Sequence, residues 1–530
     1  MKSLHAKMTR LAIVQEAKDF HIVEEQEQAT TEAAGTVLDN FKASVSYLYQ
    51  NTDLFGSAKD ITVPPISQMQ SVVQRRAGSL PKVYQQEYAQ PLLNNFDQFL
   101  SEIDSDPTFT ETICAAVYQH SSDFVAARGY LNRFQAVCAT LYDDFLNNEV
   151  RKKLNLPLIE KFPPLAMFQK SLTREVVLKK QSGDGGPFTI TSDSVQQLFG
   201  GTIGVVSLPG TYRQHPLLWS SLAHEVGGHD VLHADPGLLT ELGQAVKSSI
   251  RNSDPSLGTL WQYWIDETAS DVYGLLHYGP EFELNLAIFF AAINLQINGP
   301  SADWLRFTSY SGSDGQLDPH PTDILRLSVG KGALNALTNL SASSKAGYSE
   351  IIDEIINFVV SQNGGHTTIT LQGFGKQTYD LKLMQSIAEQ VGAVIVTTKL
   401  RALNGRSIQD ITTWSQDDEK TAQTLVPILL NPNPDLSNLP PEATAQHVLS
   451  AASLAVLTNP SGAAYATMTK NVNRLLDAAF NADPLWNPKK KVAVRHLYIG
   501  ESGPGIGAPS ARAAVASSKT KKEPIRPFWL

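Results

Sequence analysis

The chain has 530 residues, 42% of them hydrophobic and 18% charged, with a formal net charge of -9. This is the balance of a globular chain long enough for roughly two to four domains, and it excludes a fibre, a wholly disordered chain and a general nucleic-acid-binding surface, which needs a basic face. Its two cysteines, Cys114 and Cys138, are too few for a disulfide framework or a cysteine zinc site and fit a reducing compartment.

The opening stretch, MKSLHAKMTRLAIVQEAKDF, has no apolar run of secretory length, so the chain is expected to stay where it is made, in the cytoplasm. Residues 1–160 read as a helical N-terminal region, with amphipathic segments around 30–50, 84–103 and 110–153. Within it Cys138 shares a helical stripe with Leu131, Phe134, Leu141 and Phe145 and reads as a core residue. LNLPLIEKFPPL at 154–165, with three prolines, reads as a linker. Two strands are expected next, GPFTIT at 186–191 and TIGVVSLPG at 202–210, both rich in β-branched residues. A helix should then begin near Pro216 and stop at Asp235-Pro236-Gly237.

Residues 161–345 read as the chemical core. LNLAIFFAAINLQI at 284–297 is interrupted by Asn285, Asn294 and Gln296 and falls short of the roughly 20 residues a spanning helix needs. It reads as a buried helix, and no membrane partner is expected. Residues 346–495 read as helical again, as in LKLMQSIAEQVGAVIV (381–396) and AQHVLSAASLAVL (445–457), and 496–530 as a disordered tail. The fold class expected is mainly α (α+β).

Chemistry concentrates in SLAHEVGGHDVLH at 221–233. His224 and His229 are five apart, not the four of the familiar H-E-x-x-H signature, and on a regular α-helix they point roughly 140° away from each other. A π-bulge, which inserts one residue into a turn, returns them to one face. Gly227 and Gly228 between them would ease that distortion, or would let another element cross closely. A zinc site also needs a third ligand. In WIDETASDVYGLL at 264–276, Glu267 could coordinate while Asp271, one turn on, accepts a hydrogen bond from a ligating histidine. Alone, that pair would read as a solvated acidic face.

HEVGGH fits the H-E-x-x-G-H pattern of the dipeptidyl-peptidase III type of zinc metallopeptidase, a gluzincin family, and DETASDVYGLL resembles that family's second motif. The resemblance implies a zincin-like core with Zn2+ held by His224, His229 and Glu267, Glu225 as general base and Asp271 in support. The chain continues DVLHADPG where the family commonly has a Gly-Ser-Gly-Lys loop. DPHPTDILRL at 318–327 resembles the H-P-x-x-x-x-R element of certain membrane-bound zinc peptidases, which implies His320 as an oxyanion donor and Arg326 as its support; the plain reading is a loop and a helix start.

A metzincin site would need glycine and histidine where Leu232 and Asp235 stand. Two histidines and a carboxylate also suit non-haem iron, but Glu225 beside the first ligand favours hydrolysis. The expected function is a zinc hydrolase cleaving a peptide or small protein, with His320 and then Tyr212 as oxyanion donors and the VVSLPG strand pairing with substrate. The alternative is a helical binding or scaffolding protein with a structural or vestigial metal site.

Overall fold

A computed structural model describes residues 36–488 apart from 55–57, 59–60, 62, 103–106, 126, 160, 170–186, 251–254, 311–316, 374–375 and 437–438. The tail at 496–530 lies outside the described residues, which form a mainly helical fold with two small three-stranded sheets.

Helix α1 (Val37–Asn51) opens on a capping box, in which Thr36 and Asp39 satisfy each other's backbone N–H, and it buries Phe41, Val45 and Leu48 along one face. The segment at 84–103 is broken, because a π turn at Gln85–Ala89 and a kink at Asn95 interrupt it. The segment at 110–153 divides into α2 (Pro107–Gln119), α3 (Arg128–Leu146) and a short helix at Asn148–Lys153. On α3 the stripe of Leu131, Phe134, Cys138, Leu141 and Phe145 is buried as expected.

The proline-rich segment ends in a strand. β1 (Leu165–Gln169), β2 (Phe188–Ile190) and β3 (Val205–Pro209) form a sheet in the order β1-β3-β2, with β1 parallel and β2 antiparallel to β3. This corrects one expectation: VVSLPG is the central strand, paired on both sides, so no peptide can add to it. Among the described residues β2 is the edge next to the motif helix, where the Thr189 hydroxyl donates to the Glu225 carbonyl at 3.0 Å. A second sheet, β4 (Thr308–Ser309), β5 (Thr368–Gln372) and β6 (Lys376–Asp380), interrupts a region expected to be helical.

The remaining helices that matter are α4 (Ile265–Tyr278), α5 (Glu281–Asn298), α6 (Asp323–Ala336), α7 (Ala342–Val360), α8 (Gln416–Leu430), α9 (Ala445–Thr458) and α10 (Gly462–Ala482). One apolar cluster runs from Val37 to Leu476, so residues on either side of 160 and of 345 share a core. A smaller cluster, with Met69, Tyr88, Phe99 and Phe199, packs the other N-terminal helices against the first sheet. The two ends of the large cluster meet where Asn40 Nδ2 on α1 donates to the Leu457 carbonyl on α9. Helix α5 is buried along most of its length, and among the described residues no helix is long and apolar enough to cross a membrane.

Candidate metal centre

Pro216 opens a 3-10 turn (Pro216–Ser220), and the chain then winds into a π-helix over Ala223–Val231. The run ends before Gly237, whose φ of 86° is the left-handed conformation that suits glycine. A π-helix bonds i to i+5, so His224 and His229 come onto one face. Both explanations of the glycines hold together. A Cβ on Gly227 would sit 2.0 Å from Tyr273 Cε1, and one on Gly228 would sit 2.1 Å from Ser270 Oγ and 2.3 Å from its Cα. The motif helix is therefore wide and closely crossed, and the element that crosses it is α4, which carries Glu267 and Asp271.

The crossing brings the predicted ligands together. His224 Nε2 and His229 Nε2 are 3.1 Å apart. Glu267 Oε2 lies 3.1 Å from the first, and its Oε1 lies 3.6 Å from the second. Glu267 and Asp271 are only 6% and 0% exposed, so they are not a solvated acidic face. Three ligand atoms held at 2.0–2.1 Å from a tetrahedral ion stand roughly 3.3 Å from one another, close to the spacing observed. Glu267 Oε2 is buried and makes no aligned hydrogen bond despite its near neighbours. Two imidazole nitrogens and a carboxylate whose donor atoms converge in this way fit a divalent cation.

Each ligand is held from behind. His224 Nδ1–H donates to Asp271 Oδ1 at 2.8 Å, and Arg326 Nε and Nη2 clamp the same carboxylate at 2.7 and 2.6 Å. His320 stands in the loop before α6 with Nε2 3.3 Å from Glu267 Oε2, and its Nδ1–H donates to Asp318 at 2.8 Å. Its side chain is 32% exposed, more than that of Glu267 beside it. Glu225 is half-buried among these groups.

The electrostatics follow from that packing. Burial opposes charge on His229, but Glu267 and Asp266 outweigh it and raise its pKa to about 10. His320 is raised to about 9, because Glu267 and Asp318 again outweigh burial. Burial also resists charge on Glu267, yet His320, His229 and His224 hold it down at about 2. Arg326 and His224 likewise keep Asp271 well below the usual carboxylate range against its burial. Burial raises Glu225, with His229 and His224 only partly offsetting it. The cluster thus demands positive charge, supplied either by protons on the histidines or by a cation that displaces them.

Tyr212 is not part of this cluster. The 3-10 turn after β3 carries it into the core, where it is fully buried edge-on to Phe289 with an unpartnered hydroxyl. The structure adds residues that sequence reasoning missed. Asp266 lies 3.4 Å from His229 Nδ1 and 3.2 Å from His233 Nε2, and it was hidden by being simply the residue before Glu267. Asp318 was legible only as the first residue of the DPHP stretch. Asp230 fixes the motif helix by accepting from Tyr142 at 2.6 Å and from Ser192 N and Oγ at 3.0 and 2.8 Å, contacts with no local sequence signal. No protein-family profile matches the chain, and no curated protein or solved structure matches it.

Proposed function

We propose that this chain is a zinc-dependent peptidase with a zincin-like core, similar in its motifs to the dipeptidyl-peptidase III family, in which His224, His229 and Glu267 hold the metal. The observation that carries the reading is the 3.1 Å approach of two histidine Nε2 atoms five residues apart on a π-wound helix, with Glu267 completing the set. When bound, zinc supplies a Lewis acid that makes water more acidic and polarises a carbonyl.

The chain's own residues do the rest. Glu225, its proton affinity increased by burial, accepts a proton from the attacking water and passes it to the leaving amine. His320, oriented by Asp318, donates Nε2–H to the carbonyl oxygen as that atom gains charge. Asp271, clamped by Arg326, fixes the tautomer of His224 so that its Nε2 lone pair faces the metal, and Asp266 does the same for His229. An extended peptide would lie along β2, whose edge adjoins Glu225.

Elemental analysis of the purified wild type and His229→Ala, with Glu225→Gln assayed on a mixed peptide library, tests the proposal. About one zinc per wild-type chain is expected, lost in His229→Ala, together with retained zinc and abolished cleavage in Glu225→Gln. A folded wild type that carries no metal and cannot be loaded with zinc would return the chain to the binding or scaffolding reading.

A further inference from the structure

Away from the histidines, a small, partly open cleft lies at the seam between the two apolar clusters. Tyr84, Tyr142, Phe162 and Leu485 give it mostly apolar walls. Two acidic side chains and a basic one also line it: Asp143 and Asp483, 8% and 4% exposed, and Lys161.

Their partners decide what the cleft can take. Lys161 is engaged at its rim, donating to Ser192 Oγ at 2.7 Å and to Asp193 at 3.2 Å. Asp483 closes the turn after α10 by accepting the Leu485 N–H on Oδ1 at 2.8 Å, with the Trp486 N–H also directed at its carboxylate, while its buried Oδ2 has no aligned hydrogen-bond partner. A buried carboxylate oxygen without a donor is costly, and native folds rarely keep one unless something supplies the missing proton donor. An anion would meet two carboxylates here. A neutral apolar molecule would fill the walls and leave Oδ2 unmatched. An organic ammonium supplies donor and charge together, and aromatic faces such as those of Tyr84 and Phe162 favour its apolar, cation-bearing body.

We propose that this cleft is a binding site for a small organic monoamine, with the ammonium on Asp483 Oδ2 and the apolar body against the aromatic walls. The inference is independent of the peptidase reading. The cleft is nevertheless joined to the motif helix, because the Tyr142 hydroxyl on its wall donates to Asp230, the residue after His229.

Calorimetric titration of the full-length protein with benzylamine, and with benzyl alcohol as an uncharged counterpart of similar size, tests it. Saturable benzylamine binding with a Kd on the order of 1 mM is expected for a ligand of so few atoms. Benzyl alcohol should bind at least tenfold more weakly. Asp483→Asn, which keeps the turn-closing acceptor, should weaken benzylamine at least tenfold, and Ala139→Phe, on the part of α3 that lines the cleft, should abolish binding by filling it. No saturable binding to the wild type, equal affinity for the alcohol, or unchanged affinity in a folded Asp483→Asn would overturn the proposal. Should Asp483→Asn fail to fold, the alcohol comparison and Ala139→Phe decide it, and full binding by Ala139→Phe would overturn it.

Discussion

The acids of α4 and those of α5 lie in one core and close in sequence, yet their proton affinities are displaced in opposite directions. On α4, Asp266, Glu267 and Asp271 face histidines and Arg326, and each is held below its ordinary pKa. On α5, Glu281 and Glu283 are equally buried, but both are raised well above the usual carboxylate range, chiefly by burial. Glu281 and Glu419 both contact the Tyr348 hydroxyl, at 2.5 and 2.7 Å. That hydroxyl has one proton to give, so one of the carboxyls must itself be protonated. Glu419 also accepts from Trp414 Nε1 and Gln423 Nε2, which leaves Glu281 as the protonated member. Burial does not decide the charge of these groups; the reach of a base does. Only the α4 set keeps anionic oxygens ready for a cation.

The largest effect should come from removing the base. Arg326→Met leaves Asp271 buried with His224 as its remaining partner, and should lower unfolding free energy by about 3–5 kcal/mol in urea titration. A loss under about 1 kcal/mol would mean that Asp271 is not held ionised by Arg326, and the contrast between the helices would collapse.

Glu283 sharpens the contrast from the other side. Asp271 adds to its raised pKa and Arg326 only partly opposes it, while both its oxygens lack hydrogen-bond partners. Because the folded-state pKa is raised, the stability its neutral form contributes is full below the unfolded pKa of about 4.3 and is lost as pH rises through the folded value. Glu283→Gln, always neutral, should therefore gain on the wild type as pH rises, and the two should converge in acid. Denaturation midpoints at about pH 5 and about pH 8 measure this, and a constant offset between the two proteins would show that Glu283 does not titrate on unfolding.

The smallest effect belongs to a residue outside both centres. Tyr212→Phe removes a buried hydroxyl with no hydrogen-bond partner, so stability should hold or rise by about 1 kcal/mol, and peptide cleavage should be unchanged. A large fall in cleavage with stability intact would restore Tyr212 to the mechanism.

What the sequence made legible follows from which forces are local. The five-residue histidine spacing and the paired glycines were enough to expect a π-wound helix, because backbone winding depends on neighbours. The one-turn spacing of Glu267 and Asp271 put both on one face for the same reason. Nearness in sequence misled with Tyr212, which stands just before the motif but is turned away by a 3-10 segment. The sheets were harder to read. β1 follows directly on prolines that marked a linker, β5 and β6 are a short hairpin within a helical region, and strand order depends on partners far along the chain. Asp230 could not be found by pattern, since its bond to Tyr142 spans 88 residues.

The glycine-lined crossing of the motif helix and α4 also bears on the order in which the chain assembles. His224 and Asp271 are 47 residues apart, whereas Asn40 and Leu457, which tie α1 to α9, are 417 apart. Loop closure costs about 2 kcal/mol more for the longer span. The two helices that supply every predicted metal ligand can therefore meet before the ends of the core do, so that set of side chains need not wait for the chain to close on itself.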